Sequence, residues 1–288
     1  MALSDAWVSL DSKPTRAILR IINREDQRVA PAVRKVLPQV ERAVDLAVAA
    51  IRQGGRLVYL GAGTSGRLGV LDAAEAAPTF GTDRVVAVMA GAPASLWSSR
   101  EDVEDDPRQS VRDLKRIKFT ARDVLVGISA SGRAPYVLGA MRFARQRHAQ
   151  TVAVTCNLNS PLAALADVAI CPVVGPEVIS GSSRMKAGTA QKLVLNMLST
   201  ATMARLGRVL GNRMICVEPS NRKLRQRAEG ILAELARCSQ AAAAKALKES
   251  RGNLPVALLM VLKNIPRARA TRQIREAESV AAALRLAL

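Results

Sequence analysis

The sequence predicts an α/β fold, a mostly parallel sheet covered by helices on both faces, followed by a small all-helical domain. Three observations carry this reading. Short apolar runs recur through the first two-thirds of the chain, as strands buried on both faces do. Stretches with helical spacing of apolar residues lie between most of them. Beyond Pro219 the strand-like runs stop and only helical patterns remain.

Taken in order, residues 14–52 read as helix, with Leu19, Ile22, Val29, Val33, Val36, Val40, Val44 and Val48 near helical spacing. Residues 56–60 form a first strand closed by Gly61, and 68–77 the helix after it. Further strands are expected at Val85–Met89, Val124–Ile128, 152–155 and Val168–Ile170, with helices at 135–147 and 187–206. The tail reads as helices near 219–237, 239–249, 254–263 and 265–285, broken at Arg251-Gly252-Asn253 and Pro266. The expected domains are therefore 1–218 and 219–288.

Composition excludes several function classes. The 43 Lys and Arg residues against 24 Asp and Glu give a formal charge of +19, which invites a nucleic-acid partner. The charge is spread from Arg16 to Arg285, however, and its densest cluster, Arg222 to Arg227, fits the solvated face of a helix. Aromatics at 2% leave no stacking platform for bases. The expectation is weak attraction of anionic small molecules and no nucleic acid. The opening run MALSDAWVSL has no leader pattern, and the apolar stretch at 256–262 is too short to span a bilayer, so no membrane partner is expected.

Cys156, Cys171, Cys216 and Cys238 form no CxxC pair, which points to neither a zinc ribbon nor a disulfide framework but to a reducing cytoplasm. His148 is the only histidine and reads as a surface residue beside Arg145 and Arg147. No metal and no cofactor are expected. Carboxylates, lysines and hydroxyls are left to carry any chemistry.

Two loops concentrate those groups. Gly61-Ala62-Gly63-Thr64-Ser65-Gly66-Arg67 follows a strand and opens a helix, matching GxGxxG. A dinucleotide site would also need an acid closing the second strand. That strand ends Met89-Ala90-Gly91-Ala92, and the nearest acid, Asp83, lies at its start. The second loop, Ser129-Ala130-Ser131-Gly132-Arg133, repeats the pattern after a later strand. Two hydroxyl-rich loops at one sheet edge converge on one crevice, where backbone N–H groups, Thr64, Ser65, Ser129, Ser131 and positive helix ends suit one monophosphate. The plain alternative is a pair of tight strand-to-helix turns with capping hydroxyls.

These residues also carry a resemblance. The run Leu60 to Glu75 with Pro78-Thr79-Phe80-Gly81, the run Gly127 to Tyr136, and the run Val174 to Lys192 closely resemble the N-acetylmuramic acid 6-phosphate etherase family. The resemblance extends from about Arg20 to Asn264 and is shared by the glucokinase regulatory protein. It implies a flavodoxin-like sugar isomerase (SIS) domain with a five-stranded sheet, a small helical domain similar to ubiquitin-associated folds, a homodimer and no metal. It further implies cleavage of the D-lactyl ether of a small-molecule sugar phosphate, N-acetylmuramic acid 6-phosphate. The rival implication is a sugar-phosphate-binding regulator without chemistry.

Glu75 and Glu104 fall on the family's two active-site glutamates, Glu75 as proton donor and Glu104 as partner base. Glu104 sits in Glu101-Asp102-Val103-Glu104-Asp105, with Asp102 where the family has glycine. Gly63, Thr64, Ser65, Ser129, Ser131, Gly132, Ser182 and Lys186 are the expected binding residues, Ser182 and Lys186 toward the substrate's anionic groups. Glu75 lies nine residues beyond Gly66, about 13 Å along an ideal helix. Either that helix bends back to the crevice or Glu75 serves a site shared with another subunit.

Overall fold

The computed structural model describes residues 9–98 and 102–287; residues 1–8, which hold most of the opening run MALSDAWVSL, and Glu101 lie outside that range. The described residues gather into two compact units, one holding those up to Ala73 and those between Arg84 and Ser199, the other Ala74–Asp83 and those from Thr200 onward.

The first unit opens with α1 (Thr15–Asp26), α2 (Val29–Arg34) and α3 (Leu37–Arg52) where the sequence suggested one continuous helix. Prolines explain the breaks. Pro31 and Pro38 each lack a donor, and each ring would strike the carbonyl four residues back, so the chain restarts a helix near each. There follow β1 (Leu57–Gly61), α4 (Gly63–Phe80), β2 (Val85–Met89), α5 (Pro107–Arg116), β3 (Val124–Ile128), α6 (Pro135–Gln146), β4 (Gln150–Val154), α7 (Pro161–Leu165), β5 (Val168–Ile170) and α8 (Lys186–Arg205). The strands form one all-parallel sheet in the order β2-β1-β3-β4-β5. Every residue of β1 and β3 is buried, as central parallel strands between helical layers must be. The five-stranded α/β reading holds, in the flavodoxin-like order.

That order reverses direction between β1 and β3, which pair with Gly61 opposite Ile128. Open α/β sheets bind ligands outside the carboxyl ends of the strands at this switch point. The two hydroxyl-rich segments follow β1 and β3 directly.

The first segment is shorter as a loop than expected, because α4 begins at Gly63 and not near Leu68. A Cβ on Gly61 would lie 2.8 Å from the Gly66 nitrogen, and one on Gly66 would lie 2.7 Å from the Gly61 oxygen. Only paired glycines let the first turn of α4 close onto the strand end, so Thr64 and Ser65 stand in a helical turn.

The second unit holds α9 (Arg222–Leu235), α10 (Gln240–Glu249), α11 (Leu254–Lys263), α12 (Arg267–Glu276) and α13 (Val280–Arg285). Asn221, Ser239, Asn253 and Ser279 each cap a helix by accepting from the backbone N–H three residues on. The Ser279 cap splits the expected helix 265–285 in two. Leu232, Leu247, Leu254, Leu258 and Leu284 fill the core of the unit. The unit also takes in residues 74–83 and 200–218: Arg208 donates to the carbonyls of Phe80 and Gly81, and the Glu218 amide to that of Pro78. Arg222, Lys223, Arg225 and Arg227 are exposed on α9, and His148 is exposed in the turn after α6.

Among the described residues no helix is long and apolar enough to cross a membrane, and no cluster of three or more His, Cys, Asp or Glu side chains is placed to hold a metal ion.

The glycine contacts give a paired expectation. Gly66→Ala must push α4 from β1 and should lower stability by about 1–3 kcal/mol in urea unfolding. Gly230→Ala, inside α9 with no heavy atom near the added Cβ, should raise it by about 0.4–1 kcal/mol. A neutral Gly66→Ala would show that the close approach does not matter.

Candidate active site

One cavity of about 650 Å³ opens at the carboxyl edge of the sheet, and all its lining residues belong to the first unit. Gly63, Thr64 and Ser65 supply one wall from the first turn of α4. Ser129, Ala130, Ser131 and Arg133 supply the second from the β3–α6 loop. Gly175, Glu177, Gly181 and Ser183, ahead of α8, supply the third. Glu104 and Asp105 close the rim before α5, and Cys156 after β4 lies at the base.

The β3–α6 loop is held in place by its own hydroxyls. The Gly132 amide donates to Ser129 Oγ at 3.2 Å, and the Arg133 amide to Ser131 Oγ at 3.2 Å. Gly132 has φ +67°, and a Cβ there would come within 2.4 Å of Ser160. Its role is to shape the loop; it does not itself line the cavity. Ser129 is buried and Ser131 exposed. Arg133 adds a guanidinium to the wall, the one basic side chain among the described lining residues. Its counterpart after the first segment, Arg67, instead donates to the carbonyls of Leu96 and Ser98.

The α8 side is arranged differently. The Glu177 carboxylate accepts from the amides of Lys186 at 3.0 Å and Ala187 at 2.9 Å. The N-terminus of α8 is thus already filled by an anion of the protein itself. The α4 turn and the β3–α6 loop line the cavity with hydroxyls next to helix N-terminal N–H groups, an arrangement chemically suited to an anion.

Lys186 points elsewhere. Its side chain is 1% exposed, and Nζ donates to Glu25 Oε2 at 2.6 Å, while Arg28 donates to both oxygens of Glu25 at 3.1 Å. Burial would raise the Glu25 carboxyl, but the hydrogen bonds from Lys186 and Arg28 outweigh it and hold the group below the usual carboxylate range. The pair ties α8 to α1. Ser182 is half-buried outside the cavity lining, and its neighbour Ser183 takes the place on the wall.

Of the two glutamates, Glu104 reaches the cavity, on a 3-10 turn at Asp102–Glu104. Two residues on, Asp106 caps α5 by accepting from the Arg108 amide at 2.7 Å, which fixes where that turn ends. That amide bond is the main reason the Asp106 carboxyl sits below its usual range. Glu75 is exposed in the later turns of α4, in the part of that helix that clusters with the second unit. Cys156 is no nucleophile. Burial, with Glu177 and Cys171 nearby, pushes its thiol up to about 12, so it stays protonated at neutral pH.

Sequence reasoning passed over Arg133, Asp105 and Glu177, while Ser183 belongs to the Ser180–Lys192 block whose polar residues the sequence already offered for anionic groups. Arg133 was marked by the repeated Ser-Gly-Arg pattern. Glu177 carried no such mark, because its partners are backbone amides placed by the fold.

The chain matches the glucokinase regulatory protein N-terminal SIS domain family over residues 39–145 and the SIS domain family over residues 112–201. A protein of Aeromonas hydrophila subsp. hydrophila named N-acetylmuramic acid 6-phosphate etherase is 52% identical over 262 residues, which cover 90% of this chain and 88% of that protein. One of the same name from Edwardsiella ictaluri is 51% identical over 262 residues, covering 90% and 87%. Among solved structures, phosphoheptose isomerase GmhA from Neisseria gonorrhoeae superposes with a TM-score of 0.52 at 22% identity, covering 66% of this chain and all of that one. A phosphoheptose isomerase from Francisella tularensis superposes at 0.50 and 18%, covering 68% and 98%. These likenesses establish the fold of the sheet unit as the SIS type.

The Lys186–Glu25 pair gives a prediction with a definite sign. A carboxyl held below its ordinary range contributes stability above an unfolded pKa of about 4.3, and that contribution fades as pH falls through the lower folded value. Glu25→Gln removes the carboxylate facing a buried ammonium and should cost about 3–5 kcal/mol at neutral pH, while Glu25→Gln with Lys186→Met should recover most of it. In urea titrations the parent should lose stability on acidification below about pH 4.3, and Glu25→Gln should flatten that limb. Equal losses in the single and double variants would rule out an ion pair.

Proposed function

The chain belongs to the N-acetylmuramic acid 6-phosphate etherase family, and from that membership we propose that it converts N-acetylmuramic acid 6-phosphate to N-acetylglucosamine 6-phosphate and D-lactate. One observation in the structure supports this best. A glutamate, Glu104, shares a single cavity with two hydroxyl-bearing turns suited to one phosphate. We place the activity in the cytoplasm, in recycling of cell-wall amino sugar; the four cysteines, all free, agree with a reducing compartment.

The chemistry follows from the substrate. An unactivated ether resists hydrolysis. Opening of the sugar ring exposes an aldehyde at C1, and the C2 proton becomes acidic. A base removes it while an acid protonates the lactate oxygen leaving C3, and water then adds across the double bond. Two carboxyl groups suffice, one ionised and one protonated. Glu104 is our candidate base at C2. Phosphate held by the α4 turn and the β3–α6 loop, with Ser65, Ser129 and Ser131 as donors and Arg133 beside them, would fix the sugar so that C2 faces that carboxylate.

Glu75 is our candidate acid, supplied by a second copy of the chain in a homodimer. Its exposure and its distance along α4 from the phosphate turn favour this over service to its own cavity.

Incubating the protein with N-acetylmuramic acid 6-phosphate should release D-lactate. In heavy water the product should carry deuterium at C2, and in labelled water solvent oxygen at C3, with the ether oxygen kept in the lactate. An unlabelled C2 would exclude elimination, and no lactate would overturn the function. Glu104→Gln should lower turnover by about 10²–10⁴-fold and abolish exchange at C2.

Subunit mixing tests the shared site. Glu75→Gln and Glu104→Gln should each be nearly inactive on their own. Mixed in equal amounts and allowed to exchange subunits, they form heterodimers holding one intact and one doubly altered site, so activity should return to about one quarter of the parent. No recovery would place both glutamates on one subunit.

A further inference from the structure

Ser65 is placed to hold a phosphate, yet its proton is already committed. It is 8% exposed on the first turn of α4, lines the cavity, and donates through Oγ to Gln191 Oε1 at 3.0 Å. Gln191, on α8, is 1% exposed, and its Nε2 is buried with no hydrogen-bond partner. A serine hydroxyl has one proton to give, and a phosphate oxygen only accepts. While Gln191 presents its oxygen, Ser65 can offer a phosphate nothing but lone pairs, a repulsive contact.

We propose that Gln191 is a positioning residue for phosphate binding, and that its carboxamide turns over when the sugar phosphate enters. A half-turn about the last side-chain torsion exchanges Oε1 and Nε2 without changing the shape of the group. Nε2 then donates to Ser65 Oγ, and the Ser65 proton is released toward the cavity. With the phosphate bound, the chain runs from Gln191 to Ser65 to phosphate oxygen, each group donating to the next. Without it the first bond runs the other way. A buried glutamine able to both donate and accept permits the reversal, which neither a carboxylate nor an apolar side chain could make.

The inference rests on the sugar-phosphate reading above, and its test is built on binding so that the two can fail separately. The probe is N-acetylglucosamine 6-phosphate, measured by calorimetry on the parent, Gln191→Glu and Gln191→Met, each also in a Ser65→Ala background. Glu only accepts and keeps the Ser65 proton, whereas Met releases it. Gln191→Met should bind about tenfold or more tightly relative to Gln191→Glu, and the gap should shrink to about twofold once Ser65 is alanine. A gap that persists without Ser65 would mean simple charge repulsion and would overturn the proposal. So would equal binding by the two variants, or failure of the parent to bind the probe. If Gln191→Glu does not fold, Gln191→Met against the parent decides. Met removes both the competing acceptor and the supporting donor, so binding should change by about two- to tenfold with Ser65 present and by less than about twofold once Ser65 is alanine, and an equal change in both backgrounds sinks the idea. An absence of lactate release beside normal probe binding would count against the etherase function alone.

Discussion

The parallel pairing of β1 with β3 is the constraint on which the site depends. Their register sets Gly61 opposite Ile128, so the two chains leave the sheet side by side at the point where strand order reverses. At the opposite end of the same pair, Arg56 grips the buried Asp123 through Nε at 3.1 Å and Nη2 at 2.9 Å, a two-pronged contact that resists sliding of one strand along the other. A slip of one residue would invert every side chain of a strand buried on both faces and would separate the two hydroxyl-bearing turns. The site is therefore a consequence of register first and of side-chain chemistry second.

Charge placement then decides which helix end is already matched by a carboxylate of the protein. The positive ends of α4 and α8 both belong to the first unit, and either would attract an anion. Glu177 occupies the α8 end from within, and the nearby lysine, Lys186, is neutralised by Glu25. What remains on the cavity wall is the α4 turn, Arg133 and the hydroxyls. The large positive charge of the whole chain contributes little to this choice, because it lies mostly on exposed helix faces where salt screens it.

Two buried groups keep α4 and α8 in step. Asp72 on α4 accepts from Tyr59 of β1 at 2.9 Å and from Ser199 of α8 at 3.2 Å, with Lys192 at 3.8 Å. Burial, with the Asp72 charge beside it, raises the Tyr59 phenol well above its usual range, so it stays a donor at any pH the protein meets. About two turns nearer the cavity, Ser65 and Gln191 join the same two helices. Interior polar contacts of this kind have little freedom to shift, which makes the direction of the Ser65 bond a discrete choice between two states.

Much of this was legible in the sequence. Apolar runs gave the five strands to within a residue or two, since a strand buried on both faces has no polar alternative. The repeated Ser-Gly-Arg segments gave the two walls of the cavity, because closeness to a strand end and an anion both demand small residues and hydroxyls. Other features stayed hidden for a physical reason. Whether the long N-terminal pattern was one helix or three turned on Pro31 and Pro38 overriding periodicity. Lys186 and Ser65 look alike on paper, each polar and next to small residues, yet one is matched to Glu25 and the other to Gln191, partners 161 and 126 residues away in sequence. The sequence by itself determined which residues could bind an anion. Only the tertiary structure decided which of them are already engaged, because a hydrogen bond or ion pair between distant segments exists only once packing has brought both ends together.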